Sequence, residues 1–373
     1  MDTQLNMSQV KFSKTTNEEF YKELRKKVVD YFKTTGKSRY SNWNMIAKTI
    51  FMCALYLTPL TLLLTVVEST GIAILMWSIM GFGMAGIGLS IMHDANHGAY
   101  SKNARVNKYL GYLIYLVGGH DVNWRIQHNV LHHTYTNISG LDEDINPGVV
   151  MRFNPHEPRL KGHKAQHIYA WALYGLMTLS WFLKKDIDQL ISYNKRDLLS
   201  TQNVSFRRAM WSIVLTKLIY AVLILALPLI YSSPVWYVTI LGFLLMHFIA
   251  GVMLGIIFQP AHCVPSSNYP VPDESGNIDA DWAVNQLYNT ANFAPGARLF
   301  SWYVGGLNYQ VEHHLFPNIC HVHYRNLSAI VKETASAYNL PYNSFKTFGN
   351  ALKAHGKMLY DLGHYDEAPG LHH

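Results

Sequence analysis

Four apolar runs, at about 45–67, 72–92, 210–231 and 235–258, restrict this chain more than any other feature. Each reaches the roughly 20 residues that a helix needs to cross a hydrocarbon core. They pair as two hairpins joined by very short turns at 68–71 and 232–234, and neither turn contains Lys or Arg. Charged residues make up only 15% of the chain, against about 25% in a typical soluble domain. The expected fold is therefore an all-α membrane protein of four transmembrane helices.

Charge placement orients those helices. Apart from Lys48 and Lys217 near the starts of spans, the basic residues lie in the N-terminal, middle and C-terminal segments. Loops that carry the positive charge stay in the cytoplasm. Both termini and the middle segment are thus expected on the cytoplasmic side, where the segments outside the spans would form a mostly helical cap. Residues 1–44 are polar and basic, with no apolar stretch suited to a signal peptide. Within them, Phe20, Leu24, Val28 and Phe32 recur about once per turn, which predicts a surface helix near the bilayer.

Two weaker runs, 109–117 and 168–183, are read as helices lying in the membrane interface, the second anchored by Trp171, Tyr174 and Trp181. A further crossing at 168–183 would place positive charge on the wrong side. Gly81, Gly83 and Gly86 match the spacing of a dinucleotide-binding loop, but they fall inside a span with no strand before them. Small residues there, and at Gly251 and Gly255, instead predict close approach of spans two and four. Cys53, Cys263 and Cys320 are too scattered for a disulfide framework or a CxxC zinc site. No Walker, GxSxG, HExxH or DNA-binding pattern occurs. The basic balance is explained by topology and membrane lipid, so no nucleic-acid partner is expected.

Histidine supplies the chemistry. The chain holds 19, and eight fall into a pattern: His93 and His97; His128, His132 and His133; His262; His313 and His314. Gln310 precedes the last pair. Imidazoles three or four residues apart share a helix face. Spans two and four run in the same direction, so His93, His97 and His262 are expected to emerge on one side of the membrane, with the other clusters in reach. Zinc takes about four ligands; eight histidines and Gln310 exceed one ion and suit two. Imidazole fits Zn, Cu, Fe and Ni alike, so ligand type leaves the metal open.

The stretches HDANHGAY, HNVLHHTYTN and GGLNYQVEHHLFP resemble the three histidine boxes of the integral-membrane fatty acid desaturases, with Gln310 resembling the front-end and linoleoyl-CoA desaturase-like members. The resemblance extends from about the first span to His323, so 45–373 is expected to form the desaturase domain and 1–44 a cytoplasmic N-terminal segment. It implies a di-iron centre held by His93, His97, His128, His132, His133, His262, His313 and His314, with Gln310 bound directly or through water. It further implies O2 as co-substrate, a long-chain fatty acyl substrate (CoA-, carrier-protein- or lipid-linked), and a cis double bond as product. Residues 1–44 contain no histidine and are too short for a fused cytochrome b5 domain. A separate electron carrier, such as ferredoxin or cytochrome b5, is therefore expected, and an acidic one would suit the basic face. The expected location is a bacterial inner membrane. A hydroxylase or alkane oxygenase on the same scaffold is the nearest alternative. A histidine-rich metal transporter would need polar ligands deep in the spans.

Asp94, Asn129, Glu312, Asp142, Glu143, Asp144, Asn289, Asn292 and Asn308 are candidates for orienting the imidazoles. His321 and His323 are read as supporting or structural, and His120 is ambiguous. His247 lies about 22 Å of helix from His262 and is too distant to share its metal. His355, His364, His372 and His373 are expected at the surface.

Overall fold

The computed structural model describes residues 10–13 and 18–366, so His372 and His373 lie outside the described residues. The chain divides into two compact units. A membrane unit combines Ser41–Ile126 with Trp171–Ile256, and a histidine unit combines Met1–Tyr40, Gln127–Ala170 and Ile257–His373.

Among the described residues, four helices are long and apolar enough to cross a membrane: Trp43–Thr65, Thr70–Asn96, Phe206–Tyr231 and Trp236–His262. These are the expected spans, and the chain is an all-α membrane protein. The second is 61% buried and the fourth 50%, against 28% and 22% for the first and third. The inner pair is therefore formed by spans two and four. Their closeness depends on glycine: a Cβ at Gly81 would stand 2.9 Å from the Met246 carbonyl oxygen and from Ile249 Cβ. Gly83 meets the first span in the same way, 2.8 Å from Tyr56 N. The apparent nucleotide-loop spacing is thus helix packing.

The run at 168–183 departs from the expectation in its aromatic anchors. It is broken into helices Gln166–Tyr174 and Met177–Ser180, and Tyr174 and Trp181 are buried rather than serving as surface anchors. Gly251 and Gly255 face Tyr174 and Gly175, not span two. Thr178 hydrogen-bonds His247, both side chain to side chain at 3.0 Å and through the His247 carbonyl at 3.0 Å. The run therefore packs beside the middle of the fourth span. Lys217 in the third span is also accommodated internally: its ammonium donates to Gly118 O at 2.5 Å, to Trp181 O at 2.6 Å and to the Asp186 carboxylate. A largely enclosed charge is tolerated when paired and hydrogen-bonded in this way.

In the histidine unit, the N-terminal helix Glu18–Thr35 does follow the apolar spacing. Its stripe is not left for a bilayer, however. Phe20, Leu24 and Val28 are buried in one core with Leu287, Val311, Leu315, Leu327 and Val331. This core joins the N-terminal helix to Trp282–Asn289, to the third-box helix Gln310–Leu315 and to Tyr324–Ala337. Two short parallel strand pairs, Lys11–Phe12 with Asn277–Ile278 and Asn292–Phe293 with Ser344–Phe345, fasten distant segments. In the second pair Asn292 is in register with Ser344.

Candidate metal centre

The second box is wound as a π-helix over Arg125–His132. The His133 N–H donates to the His128 carbonyl five residues back at 3.0 Å, where an α-helix would use the carbonyl four back. The wider turn brings His133 beside His128, with ring centroids 4.8 Å apart, while His132 remains 5.2 Å from His128. Spacing read on an α-helix missed this widening. A similar π stretch, Ile87–Met92, precedes the first box.

Three imidazoles define the best-formed part of the site. The ligand atoms of His132, His262 and His314 all lie within 4.8 Å of one another. Each ring is fully buried. Each holds its Nδ1 against an acceptor: His132 on Asp142 at 2.9 Å, His262 on the Asn289 carbonyl at 3.2 Å, and His314 on Gln286 Oε1 at 2.8 Å. An acceptor at Nδ1 fixes the proton there and leaves the Nε2 lone pair free. All three Nε2 atoms are buried without a hydrogen-bond partner. Leaving a buried polar atom unsatisfied costs about 1–3 kcal/mol, and three such lone pairs pointing together suit a cation. Burial, followed by the neighbouring His133, His262 and His132, holds the His314 imidazole well below the usual histidine range and keeps it neutral.

The other histidines of this unit extend the cluster. His133 Nε2 and His313 Nε2 face each other at 3.0 Å, and His133, His313 and His314 form a second group of close ligand atoms. His313 Nδ1 lies 3.3 Å from the Tyr324 hydroxyl. His128 Nδ1 meets Asp144 at 2.7 Å. Gln310 is buried, and its amide oxygen has no hydrogen-bond partner among the described residues. The histidine unit therefore brings together His128, His132, His133, His262, His313 and His314.

The first-box pair belongs to the membrane unit. His93 sits on the last turn of the second span and His97 directly follows its end, with ring centroids 4.7 Å apart, and both pack edge-on against Trp124 at 5.5 Å. Asp94 lies 3.9 Å from His93 Nδ1.

A family model described as fatty acid desaturase matches residues 69–346. The chain belongs to the fatty acid desaturase family. It is 32% identical over 361 residues to the sn-1 linoleoyl-lipid 6-desaturase of Synechocystis sp., covering 96% of this chain and 99% of that one. It is also 32% identical to the enzyme of the same name from Arthrospira platensis, covering 94% of each chain. An acyl-lipid (8-3)-desaturase from the moss Physcomitrium patens is 32% identical over 97% of this chain and 75% of its own length.

In this chain several supporting residues lie outside those that the sequence pattern points to. Gln286 orients His314, and Asn137, in the left-handed region at φ 61°, donates its amide to the His262 carbonyl at 3.1 Å. Trp282 Nε1 donates to the His133 carbonyl at 3.0 Å. Asn289 serves through its backbone carbonyl. Asp142 and Asp144 hold His132 and His128 through their Nδ1 atoms. Glu312 turns away: it accepts from Asn292 and Tyr342 at 2.8 Å each, with burial raising its carboxyl to about 7. Asn308 donates to the Phe293 carbonyl at 3.1 Å instead of to a histidine.

Several histidines away from the cluster are engaged in ordinary hydrogen bonds. His323 meets the Tyr40 carbonyl at 3.2 Å, and His120 meets Ser212 at 3.0 Å. His355 corrects its expected surface position: it is fully buried, with Nδ1 2.8 Å from the Cys263 carbonyl. His364 lies towards solvent, stacked on Tyr360 at 3.9 Å.

Proposed function

We propose that this protein is an O2-dependent acyl desaturase that introduces a cis double bond into a long-chain, lipid-linked acyl group. The observation that carries this reading is the convergence of the His132, His262 and His314 Nε2 lone pairs, each fixed through its Nδ1. Donors of this kind suit a first-row transition metal. His128, His132, His133, His262, His313 and His314 would hold two iron ions, with Gln310 beside them. His93 and His97 are assigned to the same centre on their motif alone. Bound iron would supply activation of O2 and cleavage of unactivated C–H bonds.

The chain's own residues do the rest. Asp142, Asp144, Gln286 and the Asn289 carbonyl hold the protons on Nδ1 and keep the ring planes fixed, a supporting role that raises ligand basicity. Burial of the cluster excludes bulk water. The cyanobacterial relatives are named for linoleoyl-lipid substrates, which favours a membrane lipid over a soluble thioester. The charge distribution supports cytoplasmic termini and a cytoplasmic site. The two electrons per turnover would come from a separate carrier.

Expression in a host with simple lipids, followed by fatty-acid profiling and metal analysis of the purified protein, tests the proposal. The expected result is a new cis-alkene and bound iron. An alcohol in place of the alkene, or zinc with no lipid product, would overturn it.

A further inference from the structure

The N-terminal helix Glu18–Thr35 presents two contrasting faces. Phe20, Leu24 and Val28 are buried. On the opposite side Lys22, Arg25, Lys26 and Lys33 surround Val29, which is 49% exposed, with the exposed acid Asp30 at the edge of this face, so that basic residues outnumber acids there. Lys37 and Arg39 continue the positive charge beyond the helix end. Glu19 and Glu23 are engaged by Lys22 at 3.1 Å and Lys27 at 2.8 Å on the flank. An apolar centre with a basic rim is the complement of an acidic protein surface.

What sets this face apart from a merely solvated one is the route that leads from it. Arg25 lies over the Tyr21 ring, 5.8 Å from its centroid. Tyr21 meets Trp282 edge-on at 5.5 Å, and its hydroxyl donates to the carbonyl of Leu315, the residue after His314, at 3.1 Å. Trp282 in turn donates to the His133 carbonyl at 3.0 Å. Tyr21 and Trp282 are only half-buried, so this aromatic pair reaches from the surface to the backbone of two box histidines.

We propose that the Lys22–Arg25–Lys26–Lys33 face docks a small acidic one-electron carrier protein, and that Tyr21 and Trp282 form the port through which its electrons reach the histidine cluster. This rests on the desaturase reading. Each turnover takes two hydrogen atoms from the acyl chain and reduces one O2 to two waters. Beyond the substrate's own two electrons and two protons, it consumes two electrons and two protons. The electrons come from two carriers, each oxidised by one electron, and the protons from solvent.

The test uses the full-length enzyme in nanodiscs of neutral lipid, with a reduced plant-type [2Fe–2S] ferredoxin as the probe. A parallel assay uses dithionite and a small mediator. Charge reversal at Arg25→Glu, Lys26→Glu and Lys33→Glu should raise the KM for ferredoxin about tenfold or more and flatten its salt dependence. Turnover with the small reductant should stay unchanged. Trp282→Leu should slow reduction at saturating ferredoxin several-fold without changing KM, and Trp282→Phe should restore it. An unchanged ferredoxin KM in the charge-reversed enzyme overturns the proposal. So does a loss of activity that appears only in anionic-lipid nanodiscs, which would assign the face to lipid headgroups. Failure to form alkene with either reductant would instead sink the desaturase reading itself.

Discussion

His314 and His247 are both fully enclosed histidines, yet their surroundings differ in one decisive respect. His247, midway along the fourth span, uses both ring nitrogens: Nε2 meets the Tyr220 hydroxyl at 3.0 Å and Nδ1 meets Thr178 at 3.0 Å. His314 uses only Nδ1 and aims an unsatisfied Nε2 at two others like it. Burial is common to both and identifies neither. A histidine whose hydrogen bonds are complete is a packing element. One whose second nitrogen is buried, empty and convergent is a ligand in waiting.

The sharpest way to break this contrast is to truncate each ring. His314→Ala should abolish product and sharply reduce bound iron, measured by gas chromatography and elemental analysis. His247→Leu should keep the metal and lose about 1–3 kcal/mol of stability, since Tyr220 and Thr178 each lose a buried partner. An active His314→Ala enzyme, or a metal-free His247→Leu enzyme, would erase the distinction.

Metal removal gives the next largest effect. A ligand that binds only the folded state raises the melting temperature by mass action. Chelation should therefore lower the Tm of the wild type and leave that of His314→Ala unmoved. Equal shifts in both proteins would place the metal elsewhere.

A smaller loss is expected one layer out. Asp142→Asn lets an amide N–H face His132 Nδ1 and push the proton towards Nε2. Metal affinity should fall by about 10–100-fold, the usual effect of removing such a support. Tyr342→Phe, which removes a hydroxyl bonded to Glu312 and Asn292 and to no box histidine, serves as the contrasting control and should leave iron content intact.

The boxes were legible in sequence because histidines at helical spacing are a local signal, and the spans because twenty apolar residues are one too. The supports were legible only in part. Asp142 stands ten residues from His132 and could be suspected. Gln286 acts from 28 residues before His314, and Asn289 acts through a carbonyl that any side chain would carry. For the 168–183 run, marginal apolarity does not say which aromatic residues face a neighbouring helix. Only Gly251 and Gly255, on another helix, show that Tyr174 does. The stripe on the N-terminal helix was read correctly, but periodicity shows that a face is covered and not what covers it.

His355 provides the mildest test, because its role is structural and lies beyond the family match. Its Nδ1 contacts the carbonyl of Cys263, directly after His262, and burial pushes the imidazole down to about 4, with the Cys263 carbonyl opposing. In the unfolded chain it titrates near 6.5. The folded state therefore resists a proton that the unfolded state accepts. The contribution is fully present above about pH 6.5 and declines as pH falls towards 4. His355→Gln keeps an N–H donor for Cys263 and removes the titration. Over that window the variant should lose less stability than the wild type in matched denaturation curves, while near pH 8 the two should differ little. Parallel pH profiles would show that His355 is not neutral and enclosed, and would return it to the surface class in which its sequence context had placed it.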